Sequence, residues 1–239
     1  MRSGMIIFSR FDSVRLPGKA LIDISGRSLI GRVLDRCRQV SGVDKLLIAT
    51  SDRAIDDPIA DFADKEHVAL FRGDCDDVLG RAVGACLQYE VDTMVRICGD
   101  RPFFDPRLVS DLLDIHTHSH FDLVTTMYPR AYPPGLTTEI ISLEALIRCS
   151  KRATDPFDRE HLTTYFYRNA EDFLIKNIWP PKEKKLDGIR LVVDDALDLA
   201  RARFIAEHLS KKPDIFDDME TILVLARQWD GKMLRDPIN

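Results

Sequence analysis

Along the first half of the chain, short unbroken apolar runs alternate with stretches in which apolar residues return every three or four positions. Met5-Ile6-Ile7-Phe8 is the first run, Lys45–Thr50 (KLLIAT) the second, Ala69–Phe71 the third and Thr93–Cys98 the fourth. Apolar residues on consecutive positions over so few residues predict strands covered on both faces. Helical patterns lie between them. Leu29, Ile30, Val33 and Leu34 share one face of a helix, with Arg32, Asp35, Arg36 and Arg38 mostly on the other. Asp56-Asp57-Pro58 starts a second helix, with acids at the positive end of its dipole and Pro in the first turn. A third spans about Asp76 to Tyr89, and a fourth runs from Asp105-Pro106 to about Thr117. Strands separated by helical patterns of about 10–15 residues predict βαβ units and a mainly parallel sheet.

Beyond residue 120 the rhythm changes. Strands are expected at Leu123–Met127 and Thr137–Ser142, flanking a Pro-rich loop from Tyr128 to Gly135. Helices at Ser142–Lys151 and Asp158–Asn169 follow, then strands at Phe173–Ile178 and Arg190–Val193. Helices at Ala196–His208 and Asp217–Trp229 close the chain. Pro180–Asp187 (PPKEKKLD) reads as an exposed loop, and no repeat or interdomain linker interrupts the pattern. The expectation is an α/β fold in a single domain over 1–239, with a parallel first half to about residue 120 and a mixed second half.

Composition narrows the function classes. The chain has 34 Lys plus Arg against 39 Asp plus Glu, a formal net charge of −5. That balance argues against a broad nucleic-acid surface, although a local basic loop can still dominate the field inside a cleft. The five cysteines, odd in number and without C-x-x-C spacing, fit reduced thiols in a cytoplasmic protein better than a zinc knuckle or a disulfide framework. No stretch reads as a signal peptide or approaches the roughly 20 apolar residues that span a bilayer, so no membrane partner is expected.

The most informative segment is the loop after the first strand, Ser9-Arg10-Phe11-Asp12-Ser13-Val14-Arg15-Leu16-Pro17-Gly18-Lys19. In open α/β sheets, ligands bind outside the carboxyl ends of the strands. Two guanidinium forks (Arg10, Arg15) and one ammonium (Lys19) suit a triphosphate, and Ser13 adds a hydroxyl donor. Pro17-Gly18 forms a turn that can aim Lys19 back at the site. The competing reading is a solvated basic loop. Neither a P-loop nor a dinucleotide-binding glycine pattern is present. Asp100, just past the fourth strand, faces the same crevice and can hold Mg²⁺ against phosphate oxygens; alternatively it is a turn Asp bonding its own backbone. Asp194, after Arg190–Val193, is a second metal candidate.

The loop R-x-x-S-x-R-L-P-G-K resembles the signature of the CMP-sugar synthetases, and most closely the spore-coat polysaccharide cytidylyltransferase branch. Further segments in the same order carry the resemblance over nearly the whole chain: IATSD at 48–52, DDPI at 56–59, FRGD at 71–74, CGDRPFFDP at 98–106, PPGLTTE at 133–139, REHLTTY at 159–165 and LVVDDALDL at 191–199. The resemblance implies a GT-A-like (Rossmann-like) nucleotidyltransferase fold. It also implies transfer of CMP from CTP to a sugar, typically a nonulosonic or Kdo-type acid, with Mg²⁺ as cofactor and a homodimer as the assembly.

By the same resemblance Asp100 and Asp194 are metal ligands, and Lys19, Arg15 and Asp100 are the catalytic set. Ser51 and Arg72 border the nucleotide, and Glu139, Glu160 and His161 lie on the acceptor side in the 121–239 half. For Ser51 turn chemistry, and for His161 a structural hydrogen bond, are the alternatives. The chain departs from the family pattern at Asp12, where Gly is frequent, at Arg101, usually small or neutral, and at Ala196-Leu197. Rival functions are a nucleotidyltransferase using another NTP, a GT-A glycosyltransferase, a non-catalytic nucleotide-binding protein, and a zinc hydrolase built on His116, His118, His120 and Asp122.

Overall fold

The computed structural model describes residues 1–183, 186–210 and 218–233; Lys184 and Lys185 of the expected surface loop, and Asp217 of the last expected helix, lie outside them. Seven strands form one sheet: β1 (Ser3–Phe8), β2 (Lys45–Ser51), β3 (Ala69–Gly73), β4 (Thr93–Cys98), β5 (Leu123–Thr125), β6 (Glu139–Ser142) and β7 (Ile175–Asn177), in the order β3-β2-β1-β4-β6-β5-β7. β1 pairs in parallel with β2 and β4, and β2 with β3. β6 runs antiparallel to both β4 and β5, while β5 and β7 are parallel. The mainly parallel first half and mixed second half match the expectation.

Alternation along β1 explains why its apolar run is unbroken. Met5 and Ile7 face one layer, packing with Ile30, Val33 and Leu34 of α1 (Leu29–Cys37), Ile59 of α2 (Asp57–Lys65) and Leu112 of α4 (Pro106–Thr117). Ile6 and Phe8 face the other, with Leu79, Ala82 and Cys86 of α3 (Val78–Gln88) and Leu146 of α5 (Leu143–Arg152). Both faces are therefore dry, as βαβ crossovers require. A third cluster joins α8 (Ala196–Ser210) and α9 (Met219–Met233) to Leu136, Leu191 and Val193 beside the sheet. All five cysteines are free, and no described helix is long and apolar enough to cross a membrane.

Two expected elements differ. Residues 190–193 join no strand. Leu191 N donates to Pro134 O (2.9 Å) and Val193 N to Asp100 O (2.9 Å), so this backbone is satisfied by two loops. The helix expected over 158–169 is broken into α6 (Pro156–Glu160) and α7 (Thr164–Arg168). Asp155 caps α6 through Phe157 N (2.9 Å), and His161 leaves helical geometry at φ −98, ψ 69. The break turns Thr163 inward, where its hydroxyl accepts from Arg96 Nη1 (3.2 Å). The strands expected over 123–127 and 137–142 shorten because Thr126 and Thr138 bond partly through a side chain: Thr138 N donates to Thr126 Oγ1 (2.9 Å).

Candidate functional site

The first loop is closed on itself before it reaches its basic end. Gly18 N donates to Phe11 O (3.0 Å) and Lys19 N to Leu16 O (3.1 Å). Gly18 sits at φ +68 with the Phe11 ring 3.1 Å from where a Cβ would be, so both conformation and space call for glycine. Gly99 serves the other wall: a Cβ there would come within 2.8 Å of the Ser9 side chain, so the end of β4 can approach this loop only without one.

Together these segments enclose a cavity of about 320 Å³, lined among others by Arg10, Ser13, Arg15, Lys19, Gly99 and Asp100. Lys19 Nζ, largely buried, reaches Asp194 Oδ1 (3.1 Å), Val193 O (3.0 Å) and Asp100 Oδ2 (3.4 Å). Arg15 Nη2 lies 3.3 Å from Asp194 Oδ2. The 190–193 segment brings Asp194 here by its bond to Asp100 O. Two aspartates nearly a hundred residues apart thus meet on one ammonium, although a loop rather than a second strand end delivers Asp194. Burial works against ionisation of Asp194, yet Lys19, Arg15 and Arg190 outweigh it and hold the carboxyl below the usual carboxylate range. Asp100 Oδ1 is buried and accepts no hydrogen bond.

Arg10 is tethered at the cavity edge by Cys75, through Sγ (3.1 Å) and the carbonyl oxygen (3.3 Å). It also stands 3.7 Å from Glu160 Oε1, which brings the acidic end of α6 to the basic loop. His161, next in sequence, is exposed and packs edge-on against Phe157. Asp12 lines the cavity and pairs with Arg53.

Ser51 and Arg72 lie outside the lining of that cavity. Ser51 is buried and donates to Asp56, whose other oxygen accepts from Phe11 N (2.5 Å). Arg72 spends its guanidinium on Ser51 O (3.0 Å), Arg53 O (2.8 Å) and Asp57 Oδ1 (2.7 Å), bracing the loop between β2 and α2. Glu139 is buried at the start of β6, where its Oε2 accepts from Arg96 Nη1 and its Oε1 from Tyr167 OH, both at 2.5 Å. Desolvation disfavours its charge, but Arg96 and these hydrogen bonds keep the carboxyl low. Tyr128 stacks on Tyr167 with ring centroids 4.9 Å apart.

Arg96, Tyr167 and Arg190 carry no role in the sequence reading. Arg96 had a signal: a guanidinium inside the otherwise apolar run TMVRIC must find a buried partner. The histidine run disperses. His116 is buried on α4, His118 is exposed against Asp114, His120 is exposed, and Asp122 pairs with Arg148 at 2.6 Å. Among the described residues no three His, Cys, Asp or Glu side chains converge as a metal site.

Comparison with known proteins accords with this geometry. The spore coat polysaccharide biosynthesis protein SpsF of Bacillus subtilis is 29% identical over 237 residues, covering 97% of each chain. The 3-deoxy-manno-octulosonate cytidylyltransferase of Aeromonas salmonicida is 28% identical over 240 residues, covering 96% of this chain and 88% of its own. A cytidylyltransferase structure from Leptospira borgpetersenii superposes with a TM-score of 0.81 at 26% identity, over 91% of this chain and 98% of that one. The family model described as cytidylyltransferase matches residues 5–213, and the chain belongs to that family.

Proposed function

We propose that this cytidylyltransferase moves CMP from CTP to a hydroxyl of a sugar acid and releases pyrophosphate, with Arg10, Ser13, Arg15, Lys19 and Asp100 forming the triphosphate side of the site. The observation that carries the reading is the meeting of Lys19, Asp100 and Asp194 beside a cavity lined by three cations. The likeness to SpsF and to the octulosonate cytidylyltransferase supports a sugar acceptor and a place in surface polysaccharide synthesis.

The donor set fits Mg²⁺. Asp100 offers a buried oxygen that accepts no hydrogen bond, and Asp194 stands across Lys19 from it. Mg²⁺ is ordinarily held by one or two carboxylates with substrate phosphates and water, which two aspartates beside a triphosphate site would satisfy. When bound, the ion neutralises charge on the phosphate oxygens.

The chain's own residues do the rest by positioning and electrostatics. Arg10 and Arg15 offer forked donors to the phosphates, and Lys19 holds a positive charge between the two aspartates. The acceptor hydroxyl attacks the α-phosphorus in line with the departing pyrophosphate. Ser51 and Arg72 act through the β2–α2 loop that they hold, at the base end. Glu160 stands 3.7 Å from Arg10, on the triphosphate side, and with the neighbouring His161 borders that end of the site rather than the far side of Asp100.

The test is a pyrophosphate-release screen with CTP, Mg²⁺ and a panel of sugar acids, with UTP and GTP as competing donors. Turnover with CTP that disappears in Lys19→Ala and Asp100→Asn is the expected result. Unchanged turnover in both variants, or none with any acceptor, would sink the reading.

A further inference from the structure

Arg101 is the one residue next to Asp100 whose charge the proposed reaction leaves unused. Its side chain is mostly buried, 15% exposed, and is not part of the lining of the cavity that holds Arg10, Arg15 and Lys19. Nη1 donates to Thr137 O, two residues before β6, which sets the guanidinium on the β6 side of Asp100. Among the described residues, no hydrogen bond is made by Nε or Nη2. The nearest carboxylate oxygen, Asp100 Oδ1, is 4.0 Å from Nε, an ion pair without a hydrogen bond. The other acid on this side, Glu139, already spends one oxygen on Arg96 and the other on Tyr167.

A largely desolvated guanidinium with unspent donors is a strong receptor for a planar anion, because its fork matches a carboxylate in two parallel hydrogen bonds. We infer that Arg101 is a specificity-determining residue that receives the carboxylate of the acceptor, on the face of Asp100 opposite the triphosphate cations. This inference rests on the proposed transfer to a sugar acid and names the group that selects that acceptor. A triphosphate would have no need of Arg101, since three other cations line the nucleotide cavity.

The experiment measures pyrophosphate release with 3-deoxy-manno-octulosonate and other sugar acids, each beside its neutral carboxamide, in the wild type, Arg101→Gln and Arg101→Lys. Arg101→Gln is expected to raise KM for the acid by roughly thirtyfold or more. KM for CTP should stay within about twofold, the pattern of lost acceptor binding alone. The variant should also no longer distinguish acid from carboxamide. Arg101→Lys keeps the charge without the fork and should recover part of the preference, which covers the case in which Gln disturbs folding. A rise in KM for CTP equal to that for the acceptor, or an equal penalty on acid and carboxamide, overturns the inference. Wild-type turnover with neutral sugars alone would overturn it while leaving cytidylyl transfer standing. CTP that raises Tm but yields no pyrophosphate with any acceptor would remove the proposed reaction and this subsite together.

Discussion

On the β1 side of the sheet, Arg10, Arg15 and Lys19 line an open cavity and meet their acids at 3.1–4.0 Å. On the β6 side, Arg96 and Glu139 are closed between strands and α7 at 2.5 Å, with Tyr167 and Thr163 taking further hydrogen bonds. Arg10 and Arg15, loosely paired and part-exposed, can exchange partners for a phosphate at little cost. A buried pair cannot, because either partner left alone is a desolvated charge. Lys19 is as buried as Arg96 and differs from it in its longer contacts. Similar residue types thus serve binding in one half and architecture in the other, and the difference is in burial and distance.

The sharpest way to break that contrast is Glu139→Gln. If the pair is architectural, Arg96 is left buried without a counterion, at a cost of about 3–5 kcal/mol. For a chain of this size that lowers Tm by about 6–20 °C, with KM for the acceptor unchanged in the folded fraction. Calorimetry together with acceptor titration checks it. An intact Tm with a raised acceptor KM would move Glu139 from framework to substrate contact.

Lys19→Met probes the open half in the same way. The prediction is a loss of about 10²- to 10³-fold in kcat, the scale for removing one preorganised group that stabilises transition-state charge. The melting temperature should change far less than in Glu139→Gln. Single-turnover rates at saturating CTP make the measurement.

Asp198→Asn tests how the open half is nonetheless held in place. Asp198 is buried, takes both donors of Arg190 at 2.8 Å and accepts from Asp194 N (3.1 Å), while Arg190 also reaches Asp194 Oδ2 (3.1 Å). Burial opposes its ionisation, but Arg190, the Asp194 amide and Arg201 hold its carboxyl below the usual range. Stability from such a group is present above the ordinary carboxylate pKa and is lost as pH falls through the depressed value. The variant should therefore show a shallower loss of Tm on acidification. It should also bind Mg²⁺ in the presence of CTP about 10- to 100-fold more weakly, the scale for supporting residues around metal ligands.

The two halves also differ in how far they could be read from sequence. β1 to β4 and their crossover helices were legible because a doubly covered strand writes itself as consecutive apolar residues and a surface helix as a 3.6-residue stripe. The cavity-lining loop was legible as a basic segment because three cations follow the first strand. Residues 190–193 were not, since the run RLVV looks the same whether it pairs in a sheet or packs on helices between two loops. The break at His161 was equally hidden: its cause is Thr163 reaching Arg96 across 67 positions, which no local pattern records. Glu139 was found as a residue of interest, but its closure against Tyr167 depends on where α7 lands. Arg72 stood out through the family resemblance, while its three acceptors on the β2–α2 loop appear only in the fold.

The smallest expected effect concerns Asp12, the one acid besides Asp100 among the described residues that line the cavity beside Lys19. Desolvation resists its charge, yet the hydrogen bond from Arg53 and the nearby guanidinium of Arg10 (4.0 Å) keep its carboxyl below the ordinary range. It is ionised at neutral pH and stands where a triphosphate would feel it. Its pair with Arg53 is partly exposed, a class of bridge worth about 0–1 kcal/mol, so Asp12→Asn should leave Tm nearly unchanged. Removing the negative charge should lower KM for CTP by about two- to fivefold at low salt, and the gain should shrink at high salt as screening shortens the reach of the field. Titrating CTP at two ionic strengths makes the measurement. A raised KM at both would mean that Asp12 helps through its pairing with Arg53, and the open half would then contain a piece of framework of its own.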